Sequence, residues 1–196
     1  MFRIIAGRWK GKRIAAPKHF EVRPTTDFAK EALFSIIDHR HDLEFLSVLD
    51  LFAGIGSISF EFASRDCKDI TAVELNPKHC AFINTTAAEL DMALQINVVR
   101  ADVYEFLKKN RSKKQFDMIF SDAPFDTTEE PQYQKLIELV LHGEFLKPGG
   151  SFILEHPSRL KLSHPQIVES RKYGNLTFSF IEKPEVNSDT ALLTEV

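Results

Sequence analysis

The chain has 196 residues, 43% of them hydrophobic and 27% charged, which suits one globular domain with a sizeable core. No apolar run reaches the roughly 18 residues a membrane span needs, and no repeat or low-complexity tract points to a solenoid or to disorder. Net charge is −3, and the two cysteines, Cys67 and Cys80, are too few for a disulfide framework or a thiolate metal site.

Buried, reduced thiols and a cytoplasmic location are therefore expected. Charge is unevenly spread. Residues 1–26 carry Arg3, Arg8, Lys10, Lys12, Arg13, Lys18 and Arg23 against one acid, Glu21, so this segment is +6 and the remainder −9. A basic head on an acidic body is a footprint for a polyanion partner, although a solvated surface hairpin explains the charge alone equally well. The same segment lacks the apolar stretch and cleavage site of a secretion signal.

In chain order, residues 2–5 and 13–16 flank Gly7 and Gly11, which predicts a small hairpin carrying the basic side chains. Thr26 or Asp27 then caps a helix on which Phe28, Ala32, Leu33, Ile36 and Ile37 recur at helical spacing. Strands follow at 46–52, 70–74, 96–100, 116–121 and 152–155, alternating with helices at 57–65, 77–90, 103–109 and 133–141. The rhythm changes at the end, where 166–173 and 176–181 flank Gly174-Asn175, a hairpin signal. Alternation of strand and helix predicts an α/β domain with a mostly parallel sheet covered on both faces, closed by the antiparallel hairpin. The expected division is a basic extension over 1–26, one Rossmann-like domain over 27–184, and a tail over 185–196 that fits no motif.

The most informative stretch is Asp50-Leu51-Phe52-Ala53-Gly54-Ile55-Gly56-Ser57, which leaves a strand and opens a helix. Glycines there let the backbone turn tightly and approach a ligand. Glu74, ending the next strand eighteen residues past Gly56, is placed to accept hydrogen bonds from ribose hydroxyls. A dinucleotide fold explains this much equally well. Ser59, however, stands where the dinucleotide fingerprint has Gly or Ala, and a carboxylate at Asp50 repels a pyrophosphate but attracts a cationic group. Asp102, after the third strand, either accepts from an adenine amino group or caps the following helix. Lys147-Pro148-Gly149-Gly150 is a good turn in any context.

Taken in order, this series resembles the class I S-adenosylmethionine-dependent methyltransferases. The resemblance implies a seven-stranded sheet and a cofactor site formed by Thr25, Asp50, Ala53, Gly54, Gly56, Ser57, Glu74, Leu75, Asp102 and Val103, with S-adenosylhomocysteine as product and no metal. The strand over 116–121 runs into Ser121-Asp122-Ala123-Pro124-Phe125, which resembles the Asp/Asn-Pro-Pro-aromatic motif of enzymes that methylate exocyclic base amines. Such a nitrogen is a poor nucleophile, because its lone pair is delocalised into the ring. A carboxylate and a backbone carbonyl that accept its hydrogens turn the lone pair toward the methyl group, while an aromatic side chain stacks on the base. Ala123 departs from the motif's usual proline, a loss of rigidity worth about 0.4–1 kcal/mol; reduced pre-organisation, not lost activity, is expected.

The segments Arg3-Ile4-Ile5-Ala6-Gly7-Arg8-Trp9-Lys10-Gly11-Lys12-Arg13, Arg23-Pro24-Thr25-Thr26-Asp27 and Lys30-Glu31-Ala32-Leu33-Phe34 are similar to the RsmD family of bacterial 16S rRNA (guanine-N2)-methyltransferases, from about residue 3 to 182. Phe28 and Lys30 stand where that family commonly has arginine, which bears on RNA contacts near the helix. The resemblance implies an enzyme acting on 16S rRNA in a partly assembled small subunit, and a monomer is expected. Arg3, Arg8, Lys10, Lys12, Arg13 and Arg23 would contact phosphates, and Asp122, Ala123, Pro124 and Phe125 would hold the base. Trp9 either stacks on a nucleotide or anchors the hairpin, and His156 either touches substrate or is an ordinary strand-end residue. The competing readings are a DNA adenine-N6 methyltransferase, an RNA-binding scaffold with weakened catalysis, and a nicotinamide-dependent oxidoreductase.

Overall fold

A computed structural model of the chain describes residues 1–17, 20, 26–111, 113–124 and 130–183. Two short strands, β1 (Phe2–Arg3) and β2 (Arg13–Ile14), pair antiparallel at the N-terminus. They are followed by α1 (Asp27–Arg40), β3 (Ser47–Leu51), α2 (Ser57–Ser64), β4 (Asp69–Glu74) and α3 (Pro77–Glu89). Next come β5 (Ile96–Arg100), α4 (Val103–Lys109), β6 (Phe116–Asp122), α5 (Glu130–His142), β7 (Leu146–Pro157), β8 (Ile167–Tyr173) and β9 (Leu176–Glu182). The main sheet has seven strands in the order β5-β4-β3-β6-β7-β9-β8, parallel from β5 to β7 and antiparallel across the last two pairings.

Local chemistry accounts for these boundaries. The Thr26 hydroxyl accepts from the Ala29 N–H at the start of α1, and Asn76 caps α3 with Pro77 in its first turn. On α5, Tyr133, Leu136, Ile137 and Val140 are buried at helical spacing. The central strands read as nearly unbroken apolar runs because helices cover both faces. One core cluster joins α1, α2 and α3 to Val48, Ile70, Ala72, Phe120, Ile153 and Phe178; the other joins α4 and α5 to Leu49, Leu51, Ile119, Phe152 and Leu154. β7 begins earlier than its apolar run suggests. Phe116 pairs with Leu146, the turn at residues 147–150 loops out, and pairing resumes at Met118 with Ser151.

The basic hairpin is built into this core. Phe2, Ile4 and Ile14 are buried in the cluster of α1 and α2, and Phe2 stacks on Phe60 with centroids 5.9 Å apart. The turn also caps the end of α2: Arg8 N–H donates to the Ser64 carbonyl at 2.6 Å, and Trp9 N–H to the Ser64 hydroxyl at 3.0 Å. Gly7, at φ +80°, lies so close that a Cβ would sit 1.9 Å from the Ser64 carbonyl oxygen. Trp9 packs against the core, as an anchor.

Beneath the hairpin, Lys30 and Glu61 are fully buried and paired at 2.9 Å. Lys30 also donates to the Arg3 carbonyl, and Glu61 accepts from the Ile5 N–H and from Arg65. Lys30 is thus a structural cation inside the protein and is not available to RNA, contrary to what its sequence position suggests. Removing one member of such a pair leaves an uncompensated buried charge, at a cost of roughly 3–5 kcal/mol. Lys30→Met is expected to destabilise the chain by about that much in urea unfolding, and the double variant Lys30→Met/Glu61→Gln by less.

Candidate active site

β3 and β6 are neighbours at the topological switch point, where the strand order reverses. The crevice at the carboxyl ends of the strands at such a point is where open α/β sheets bind ligands. Side-chain alternation decides what faces it. Val48, Ala72, Phe120 and Ile153 point into the α1–α3 cluster. Two residues further along each strand, Asp50, Glu74, Asp122 and Glu155 project from the same face. Registers align them closely: Asp50 lies opposite Ala72 and Phe120, and Asp122 lies directly opposite Glu155.

Each carboxylate is held differently. Asp50 is buried, and its Oδ2 accepts from the Ser59 hydroxyl at 2.5 Å and the Ser59 N–H at 3.1 Å. Burial pushes its carboxyl up to about 7, the Ser59 bonds pull it back, and the charges of Asp122 and Glu74 push it further. It therefore sits inside, one residue before the strand's end, with one oxygen committed to α2. Glu74 accepts from Gly54 N–H at 2.8 Å and Asn76 N–H at 2.7 Å, fixing the glycine loop to the tip of β4 and leaving a lone pair on each oxygen. Asp122 is half-buried, and desolvation lifts its carboxyl to about 6.

The loop from β3 to α2 is tightly constrained. Phe52 adopts φ +59°, sparsely populated for a bulky residue. Ala53 N–H donates to the Val73 carbonyl at 3.0 Å. Gly54, at φ +56°, has open space where a Cβ would lie, whereas at Gly56, at φ +80°, a Cβ would press on Ile83 and Phe60 at 3.0 Å. Ser57, first in α2, is buried, and its hydroxyl has no hydrogen-bond partner among the described residues. An unmatched hydroxyl and a helix N-terminus beside a row of carboxylates suit a ligand bearing both cationic and hydrogen-bonding groups.

Other expected residues divide. Leu75 is 61% exposed next to Glu74, offering an apolar face at the rim, while Val103 is buried in the α4–α5 cluster. Asp102 caps α4, its Oδ1 accepting from the Glu105 N–H at 3.0 Å, so the capping alternative is realised; its second oxygen makes no hydrogen bond among the described residues. Ala123 is buried and Pro124 exposed. Thr25, Arg23 and Phe125 lie outside the described residues. Arg3 pairs with Asp27 at 3.0 Å and Arg8 approaches Asp91 at 3.7 Å, whereas Lys10, Lys12 and Arg13 are exposed with no ion pair among the described residues. His156 is buried on the opposite face, bonded to Ser179 at 2.8 Å and to the Pro157 carbonyl at 3.1 Å, and so does not face the crevice. Sequence reasoning passed over Glu155 and took Ser59 only as a departure from the dinucleotide fingerprint. The spacing of Ser59, nine residues after Asp50 and in the first turn of α2, was the available signal.

Comparison with known proteins agrees with this architecture. The structure superposes on a putative methyltransferase from Escherichia coli with a TM-score of 0.78 at 23% identity, covering 94% of this chain and 98% of that one. An RNA methyltransferase from Salinibacter ruber, solved with S-adenosyl-L-homocysteine, gives a TM-score of 0.62 at 16% identity over 83% and 95% of the two chains. The fold is that of the class I methyltransferases. In sequence, the chain is 32% identical to the Ribosomal RNA small subunit methyltransferase D of Haemophilus influenzae over 84% of its own length and 83% of the relative's. It is 29% identical to a putative rRNA methyltransferase of Bacillus subtilis over 88% and 94%. The family model described as conserved hypothetical protein 95 matches residues 2–182, and the chain belongs to this family, the RsmD family.

The state of Asp50 has a measurable consequence. Its folded-state value, about 7, lies above the unfolded carboxylate's 3.8, so the folded chain holds a proton that the unfolded chain has lost. The resulting stability is present below the unfolded value and is lost as pH rises through about 7. Relative to Asp50→Asn, the wild-type protein should lose up to about 1.4 kcal/mol of stability per pH unit across that window, read from urea midpoints at pH 5, 6, 7 and 8. A difference between the two proteins that stays constant with pH would show that Asp50 is ionised throughout.

Proposed function

We propose that this chain transfers a methyl group from S-adenosylmethionine to the exocyclic N2 of a guanine in 16S rRNA, acting in the cytoplasm on a partly assembled small ribosomal subunit. The observation that carries the proposal is the placement of Asp122. It closes β6 beside β3, on the same sheet face as Asp50 and next to the glycine loop, with Ala123 and Pro124 following. The family's curated members named for small-subunit rRNA methylation supply the substrate class.

S-adenosylmethionine, when bound, supplies an electrophilic methyl group on a sulfonium. Glu74 would take its ribose hydroxyls through the lone pairs left after the Gly54 and Asn76 bonds. Asp50 and Asp122 surround the cationic end with negative charge, and Leu75 offers its side chain to the adenine. Asp102, through its second oxygen, is the acceptor for the adenine amino group. On the acceptor side, the Asp122 carboxylate and the Ala123 carbonyl accept the two amine hydrogens and orient the nitrogen lone pair. Asp122 takes the proton the nitrogen sheds. Phe125 completes the motif as the stacking partner of the base. The exposed Lys10, Lys12 and Arg13 track phosphates without reading sequence, giving salt-dependent affinity.

Transfer of tritium from labelled cofactor to undermethylated small subunits, free 16S rRNA and DNA, with the modified base identified by mass spectrometry, tests the reading. Label on N2-methylguanine in subunits is the expected outcome; label confined to adenine in DNA would overturn it. Asp122→Asn should lower the rate at saturating substrate by about 10²–10³-fold while cofactor still binds. Because Asp122 must be ionised to accept, the wild-type rate should climb as pH rises through about 6 and then level off. The residual rate of the variant should lack that rise.

A further inference from the structure

Asp122 is one of two carboxylates on neighbouring strands that meet the acceptor space. Glu155 stands directly opposite it in the parallel ladder of β6 and β7, one strand spacing away, about 4.8 Å. It lies on the same sheet face, in line with Ile153, at 9% exposure. It is on the far side of Asp122 from β3 and the glycine loop, and so is not placed to serve the cofactor. On the next strand outward, Phe178 sits opposite Glu155 and is fully buried, which places an apolar ring on the side of the carboxylate away from Asp122. Along that row on the α1–α3 side of the sheet, two carboxylates stand side by side, followed by the Phe178 ring and, on the edge strand, by the exposed Arg171.

We infer that Glu155 is the residue that selects guanine, by accepting the hydrogen on ring N1 while Asp122 holds the adjoining C2 amine. This rests on the acceptor-site reading given under Proposed function. Guanine is the base that presents two neighbouring donors, N1–H and the C2 amine, along its Watson–Crick edge. Adenine and cytosine place an unprotonated ring nitrogen beside their amine, which would bring its lone pair against the Glu155 carboxylate. A buried acceptor left facing another acceptor is heavily disfavoured, and sites built around such a hydrogen bond reject analogues strongly. A base swung into a pocket is read through hydrogen bonds to this same edge. Asp122 alone would accept any exocyclic amine; the pair on adjacent strands would not.

The test replaces the labelled guanine by 2-aminopurine, which keeps the C2 amine but has no hydrogen on N1, in small-subunit rRNA assembled with its proteins. Wild-type protein should methylate guanine at least about 10²-fold faster than 2-aminopurine. In Glu155→Gln, whose amide can either accept from or donate to N1, that ratio should shrink by about tenfold or more, with S-adenosylhomocysteine binding unchanged. Equal rates on the two bases with wild-type protein, or an unchanged ratio in a folded Glu155→Gln, would overturn the assignment. Equal wild-type rates would overturn the assignment even if the variant fails to fold, whereas the change of ratio in Glu155→Gln separates loss of the N1 hydrogen from loss of the O6 carbonyl, which 2-aminopurine also lacks. Absence of any methylation of guanine by wild-type protein would instead sink the acceptor-site reading itself.

Discussion

Four neighbouring strands carry acids at or near their carboxyl ends that point the same way. Because β4, β3, β6 and β7 are held in fixed parallel register, alternation forces Glu74, Asp50, Asp122 and Glu155 onto one face of the sheet within three strand spacings. Two such charges about 5 Å apart repel by roughly 3 kcal/mol at an effective dielectric of 20. The surroundings temper this locally: Asp50 is desolvated and bonded to Ser59, and Glu74 is tied down by two backbone N–H groups. These devices fix positions chiefly through neutral donors: among the described residues no Lys or Arg is paired with Asp50, Glu74 or Asp122, and His79 Nδ1 approaches Glu74 Oε1 at 3.5 Å. A row of acids kept in this condition at the mouth of a sheet otherwise buried on both sides is complementary to a positively charged ligand and to the hydrogens of an amine.

The fully buried helix α2 connects that mouth to the basic surface. Its first residue follows Gly56, and its last, Ser64, takes the hairpin's N–H groups. With eight residues it is about 12 Å long. The cations of the hairpin are thereby carried at a set distance from the glycine loop, on an element packed by Phe2, Ile4 and the Lys30–Glu61 pair. An extension that binds phosphate from a flexible tether would fix no register between backbone and base. One cemented to the helix that follows the glycine loop, as here, is held in a fixed register with that loop.

Much of this was legible in the sequence, and the exceptions share a cause. Strand and helix alternation, the glycine loop, the closing hairpin and the order of acids at strand ends are periodic or local signals, and the structure returns them with boundaries moved by a residue or two, apart from the early start of β7 and the extra turn at the front of α5. The burial of Lys30 was not legible, because a lysine on an amphipathic helix ordinarily faces water, and its partner Glu61 lies 31 residues away on another helix. Glu155 escaped notice for a similar reason: its meaning comes only from its register with Asp122 on a neighbouring strand, which no local pattern encodes. Asp102 was readable as ligand or cap, and its geometry at α4 makes it a cap without using its second oxygen.

The departure at Ala123 can be understood in the same physical terms. A proline there would hold the backbone extended through its ring. In this chain the Ala123 methyl is 5% exposed and packs in the cluster that includes Leu51, Val103, Ile119 and Tyr133. Pro124 restricts Ala123 from its C-terminal side, and Asp122 is held from its N-terminal side by pairing with β7. Position is thus set by packing from below and by a strand and a ring on either side. A methyl in a close-packed core tolerates little displacement, and so the carbonyl that the ring would have aimed is aimed by the core.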